Sequence, residues 1–137
     1  GDFTAYVRHQ VESFAVLAKK AGLKFAYHNH DFEFKSYDGT TGFDILTRET
    51  DKDLVKFELD IYWVAFSGID TVSLFNQLKG RVPLWHVKDM DKVNRSNNTE
   101  IGNGTIDYSA IFKAAKVSGM IFLEMENQTE AIKDKAA

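Results

Sequence analysis

"KFAYHNHDFEFKS", residues 24–36, decides how the rest of the chain is read. Its first half is strand material, with Phe25, Ala26 and Tyr27 apolar or aromatic. Its second half brings His28, Asn29, His30, Asp31 and Glu33 within six residues, and holds half of the chain's four histidines. A strand that ends in imidazoles and carboxylates reaches a polar site. The same design recurs downstream. "LVKFELDIYW" contains a strand over 54–60 that ends in Glu58 and Asp60. "RVPLWHVKDM" ends in His86, Lys88 and Asp89, and "MIFLEME" ends in Glu124 and Glu126.

Helical patterns separate these strands. Val7, Val11, Phe14, Leu17 and Ala18 recur at helical spacing over residues 3–21, with Gly22 as the stop. The turn-rich "YDGTTG" leads to a helix near 43–50 carrying Phe43, Ile45 and Leu46. "GIDTVSLFNQLKG" is a helix closed by Gly80, and "DKVNRSNNTEIGNGT" is a polar loop. "IDYSAIFKAAKVSG" is a helix with Asp107 as N-cap, Ile106, Ile111 and Phe112 flanking its apolar face, and Gly119 at its end. The tail from Thr129 begins another helix. Strands alternating with helices predict parallel strands joined by right-handed crossovers, an α/β fold. The near-continuous apolar runs predict a sheet covered on both faces.

Length and composition bound the function. The 137 residues suit one domain, 1–137, and 44% hydrophobic content supplies a core. No linker and no fixed-period repeat divides the chain. A net charge of -3 and a pI near 5.8 speak against a general nucleic-acid or membrane-surface binder. The absence of cysteine removes disulfides, thiol nucleophiles and Cys-based zinc sites, and fits a reducing, cytoplasmic setting. No apolar run approaches the ~18 residues of a membrane span, and the N-terminus does not read as a signal peptide.

In parallel α/β folds, ligands bind beyond the carboxyl ends of the strands. Four strands here deliver His, Asp, His and Glu to one rim. Imidazoles with carboxylates suit a divalent ion such as Mn, Zn, Co or Fe, and suit Mg less well. Such an ion polarises a carbonyl–hydroxyl pair, and a neighbouring carboxylate moves the proton. That is the chemistry of aldose–ketose isomerisation and of epimerisation beside a carbonyl. Each residue also has a plainer reading. Asp60 is a ligand or the cap of a following helix or turn. Glu58 reads best as a solvated or structurally paired strand residue. Trp85, next to His86 and so on the opposite face, reads as core. Tyr62 and Trp63 are core or an apolar wall for a sugar ring. Lys88 is a solvated charge or, sharing His86's face, a substrate contact.

Five blocks in order, "YHNHDFEF", "FELDIYWVAFSGID", "GRVPLWHVKDMD", "IGNGTIDYSAIFKAAKVSG" and "IFLEMEN", resemble the C-terminal half of sugar phosphate isomerase/epimerase proteins, the xylose isomerase-like TIM barrels. The resemblance implies an eight-stranded (β/α) barrel with a divalent metal at its C-terminal rim. It implies Asp60, His86 and Glu124 as metal ligands, with Glu124 also the acid/base. Where the family places a first Glu ligand, this chain has "YHNH". His28 is the first choice for that ligand, with His30 and Glu33 as alternatives, and His28 or His30 takes over as second acid/base. Lys88, Trp63 and Asn29 are the expected substrate contacts. Asn103 stands where relatives carry a carboxylate. The implied substrate is a small sugar or sugar phosphate, with no nucleic acid and no membrane partner. The implied reaction is proton transfer through an enediolate. Rival readings are a dehydratase-type lyase on keto-inositols or keto-sugars, and an inactive metal- or sugar-binding remnant. An endonuclease of the same fold is disfavoured by the acidic pI.

Four strands are half of a barrel. They are expected to leave two open edges and an exposed apolar inner face, and so to need an N-terminal half-barrel or a second copy.

Overall fold

The structure, a computed structural model, describes residues 2–117 and 122–125. Helix α1 (residues 2–20) runs as Asp2–Tyr6, a π turn Val7–Val11, and Glu12–Lys20. Then come β1 (Phe25–His28), a 3-10 turn Phe32–Phe34, α2 (Gly42–Glu49), β2 (Val55–Asp60), α3 (Ile61–Phe66) and α4 (Thr71–Gln77). Strand β3 (Leu84–Val87), α5 (Tyr108–Val117) and β4 (Phe122–Met125) complete the order. The four strands form one parallel sheet in chain order. These are four consecutive helix–strand steps, with half of the eight strands that close a (β/α) barrel.

Parallel register sets the levels of the rim. His28 lies beside Glu58, Asp60 beside His86, and His86 beside Glu124. Because side chains alternate across a strand, these positions share one face. The opposite face is the core. Val55, Phe57, Leu59, Trp85 and Val87 are fully buried beneath the helices. Phe75 and Phe112 pack on Trp85 at 4.9 and 6.4 Å, which makes it core as expected. Among the described residues this face is the more fully covered, and the other is buried only toward its rim, at Asp60 and His86. Ala26, Lys56, Glu58 and Leu84 on the other are half-buried. The expected sheet with two covered faces is therefore corrected. "VKFELD" alternates rather than running apolar, and its Lys56, Glu58 and Asp60 face the concave side. The inner face, expected to be apolar, is mixed: Ala26 and Leu84 share it with Lys56 and Glu58.

Two elements differ from the sequence reading. "IYWVAF" forms α3, although β-branched and aromatic residues favour strands; Asp60 starts the helix by capping it. The strand read through 81–90 stops at Val87, and Asp89–Met90 pairs antiparallel with Asn98–Thr99 instead. The Gly119 stop, Glu126 and the helix from Thr129 lie outside the described residues.

Candidate metal centre

Asp60 ends β2 and is wholly buried. Its Oδ1 accepts the Trp63 backbone N–H at 3.1 Å and so caps α3. Its Oδ2 lies 3.0 Å from His28 Nε2 and 3.3 Å from Lys88 Nζ. Asn29 clamps the neighbouring strand. Also fully buried, it accepts the Asp60 N–H through Oδ1 at 2.9 Å and directs Nδ2 at the carbonyls of Asp60 and His30, each at 3.4 Å. Its side-chain amide is thus engaged with the backbone and ties β1 to β2.

The His28 and His86 rings stack at 4.7 Å between centroids. His28, Asp60 and His86 each offer a ligand atom, all within 4.8 Å of one another. This set of two imidazoles and a carboxylate fits a divalent ion. Ligands bonded at ~2.0–2.1 Å in a tetrahedral shell stand about 3.3 Å apart, close to the 3.0 Å His28–Asp60 spacing. Glu124 occupies the strand position beside His86. Glu58 Oε1 stands 3.6 Å from His86 Nδ1.

Lys88 is nearly buried, with Nζ 5.2 Å from the ring centroids of both Tyr62 and Trp63. Ring faces attract a cation, so the ammonium is held at the rim by Asp60 and two aromatic walls. Its backbone carbonyl accepts the Tyr108 hydroxyl at 2.7 Å. Burial pushes the Tyr108 phenol up, well away from ionisation.

His30 is exposed and joins a row of rings, 5.4 Å from His28, 5.9 Å from Phe32 and 5.9 Å from Trp63. Glu33 is buried with both oxygens engaged. They accept the Tyr27 hydroxyl at 2.9 Å and the His30 N–H at 2.8 Å. Burial first, and then the Glu33 charge, raise the Tyr27 phenol. Glu33 therefore holds the loop after β1 and stands outside the three-residue cluster, leaving His28 as the better-placed first ligand.

Asp89 has a task that the sequence reading missed. Its buried carboxylate accepts four backbone N–H groups, from Met90 (2.8 Å), Ile106 (3.0 Å), Gly102 (2.9 Å) and Gly104 (3.1 Å). The "GNG" spacing was the available signal. A Cβ at Gly104 would stand 2.3 Å from Asp89 Oδ1, so only glycine lets this backbone approach.

Comparison with known proteins bears on this geometry. Residues 3–137 match the model of the xylose isomerase-like TIM barrel family. The chain belongs to that family. A sugar phosphate isomerase/epimerase from Parabacteroides distasonis is 30% identical, with a TM-score of 0.70 over 85% of this chain and 41% of its own. An inosose dehydratase from Clostridium perfringens is 29% identical over 129 residues, 80% of this chain and 43% of its own length. The zinc-containing IolI protein shares the fold, at 16% identity and a TM-score of 0.70 over 96% of this chain and 49% of its own. The chain thus spans less than half the length of each of these three proteins. Among the described residues, no helix is long and apolar enough to cross a membrane.

Proposed function

We propose that this chain supplies the metal-binding half of a sugar or sugar-phosphate isomerase/epimerase. The convergence of His28, Asp60 and His86 at the carboxyl edge of a family sheet carries the reading. A divalent ion bound there, Mn, Zn, Co or Mg, would polarise a substrate carbonyl and acidify the neighbouring C–H. His28, Asp60, His86 and Glu124 are the residues assigned to hold it. Glu124 is also the acid/base assigned to the substrate proton, with His28 or His30 as its counterpart. Lys88 directs its ammonium at a substrate oxygen. Trp63 presents an indole face to the sugar ring. A soluble sugar and a cytoplasmic setting complete the proposal.

The inosose dehydratase relatives support a second reading with equal weight. The same groups would remove the proton and a β-hydroxyl would depart from a keto-inositol or keto-sugar. A third outcome, metal binding without turnover, applies to the chain by itself.

The test is metal titration of the purified chain beside His86→Ala and Asp60→Asn, followed by product analysis. The proposal expects one divalent ion per chain, lost in both variants. Ketose epimerisation then supports the first reading, and loss of water from a keto-inositol the second. Unchanged binding in both variants would remove the rim from consideration.

A further inference from the structure

We propose that Glu58 is a positioning residue for His86. It receives the imidazole Nδ1–H and so leaves Nε2 as the nitrogen directed at the metal centre. The inference rests on the reading of the rim as a metal site.

Glu58 precedes Asp60 by two residues, so its side chain leaves β2 on the same face, one layer deeper. The register places Asp60 beside His86 and Glu58 beside Leu84. His86 therefore stands one level above Glu58, with Nδ1 turned down toward it. The Oε1–Nδ1 separation is 3.6 Å, and both atoms are shielded from solvent. A closure of about 0.5 Å brings the pair within hydrogen-bond range.

Two features of the same face favour this role. Lys56, the cation one layer below, is engaged elsewhere, since its Nζ donates to the Gly80 carbonyl at 3.1 Å. Glu58 also lies outside the cluster formed by His28, Asp60 and His86, so it is placed to support a ligand rather than to be one. A neutral imidazole that donates through one nitrogen offers a lone pair at the other. Carboxylate partners of this kind fix the tautomer and ring orientation of metal-bound histidines.

Two measurements on the full 137-residue chain test the proposal. The first is long-range 1H–15N correlation of the histidine rings without metal, at about pH 8.5, where imidazoles are neutral. With four histidines in the chain, His86 is assigned by comparison with His86→Gln. The expected result is the Nδ1–H tautomer in the parent and in Glu58→Gln, shifting toward Nε2–H in Glu58→Ala. The second is titration with Co2+, followed by its visible absorption. Glu58→Ala should weaken binding about 10- to 100-fold and alter the absorption bands, with Glu58→Gln losing less. An Nε2–H tautomer in the parent, or the same tautomer and Co2+ affinity in Glu58→Ala, would overturn the assignment. A parent that binds no Co2+ defeats the metal reading, while the tautomer still judges Glu58. If Glu58→Ala does not fold, the parent and the nearly isosteric Glu58→Gln decide.

Discussion

A carboxylate has two oxygens, and Asp60 uses them for different tasks. Oδ1 starts α3 by accepting the Trp63 N–H, while Oδ2 faces His28 and Lys88. Asp60→Asn keeps an oxygen for the cap and loses the charged ligand. Asp60→Ala loses both. Urea unfolding should therefore find the Ala variant about 1 kcal/mol less stable than the Asn variant. Metal titration should find both equally impaired. Equal stabilities would mean that the cap contributes nothing. Of the two readings of Asp60 open at the level of sequence, the cap is observed, and it leaves Oδ2 for the proposed ligand role. Sequence also made His28, His86 and Lys88 legible, because alternation along a strand fixes which residues share a face. It did not make Asn29 and Glu33 legible as internal clamps, because their partners are backbone groups and a tyrosine that only the fold brings near. Buried phenols carry a further consequence. Burial is the first cause raising Tyr27, Tyr62 and Tyr108 above their ordinary value. In the unfolded chain they ionise near pH 10. A raised folded value means that their contribution is complete below about pH 10 and is lost as pH rises through the folded values. Absorbance at about 295 nm should show these tyrosines ionising together with the loss of far-UV circular dichroism. Their full ionisation before any structural loss would contradict their burial.

At the scale of elements, the segment after β3 is organised by one side chain. Asp89 gathers amide N–H groups from Gly102, Gly104 and Ile106, and Thr105 N–H reaches the Met90 carbonyl at 2.9 Å. Together with the Tyr108 hydroxyl on the Lys88 carbonyl, these bonds fix the backbone on both sides of Lys88. Gly104→Ala would force a methyl against Asp89 Oδ1 and the Met90 carbonyl, each 2.3 Å away. The expected cost is about 1–3 kcal/mol in chemical unfolding. The exposed neighbour Asn103→Ala should change stability by no more than about 0.5 kcal/mol. Similar midpoints for the two variants would show that the loop accommodates a methyl. The first helix shows where periodicity misleads. A regular 3.6-residue helix puts Phe14 and Ala18 on the face of Val7 and Val11, with Leu17 toward its border. The π turn Val7–Val11 shifts the register by one residue, so that Ala15 joins Val7 and Val11 in the core while Phe14 and Leu17 are exposed. No residue pattern in that turn announces the change.

At the scale of the whole molecule, the inner face and the sheet edges govern behaviour. Lys56, Glu58 and Asp60 put charge on the concave face among apolar Ala26 and Leu84, so hydrophobic attraction between such faces is weakened. The edges are different. Among the described residues, β1 and β4 each have one strand neighbour, which leaves an unpaired row of backbone groups at either side of the sheet. A two-fold axis along the barrel direction would place β4 of one copy beside β1 of another, twice, with every strand parallel. Eight strands would then close, both edges would disappear, and the two rims would share one end. The expected mass by light scattering after size exclusion is that of two chains. Ala26→Arg separates this closure from other contacts. Ala26 is on the half-open concave face, where a barrel interior has room only for packed side chains. An arginine there should block closure and yield monomers, while far-UV circular dichroism stays that of the parent. A dimer that survives Ala26→Arg would place the contact on the helical side instead. A parent running as a single chain would mean that both edges remain hydrated and that closure requires strands other than these four.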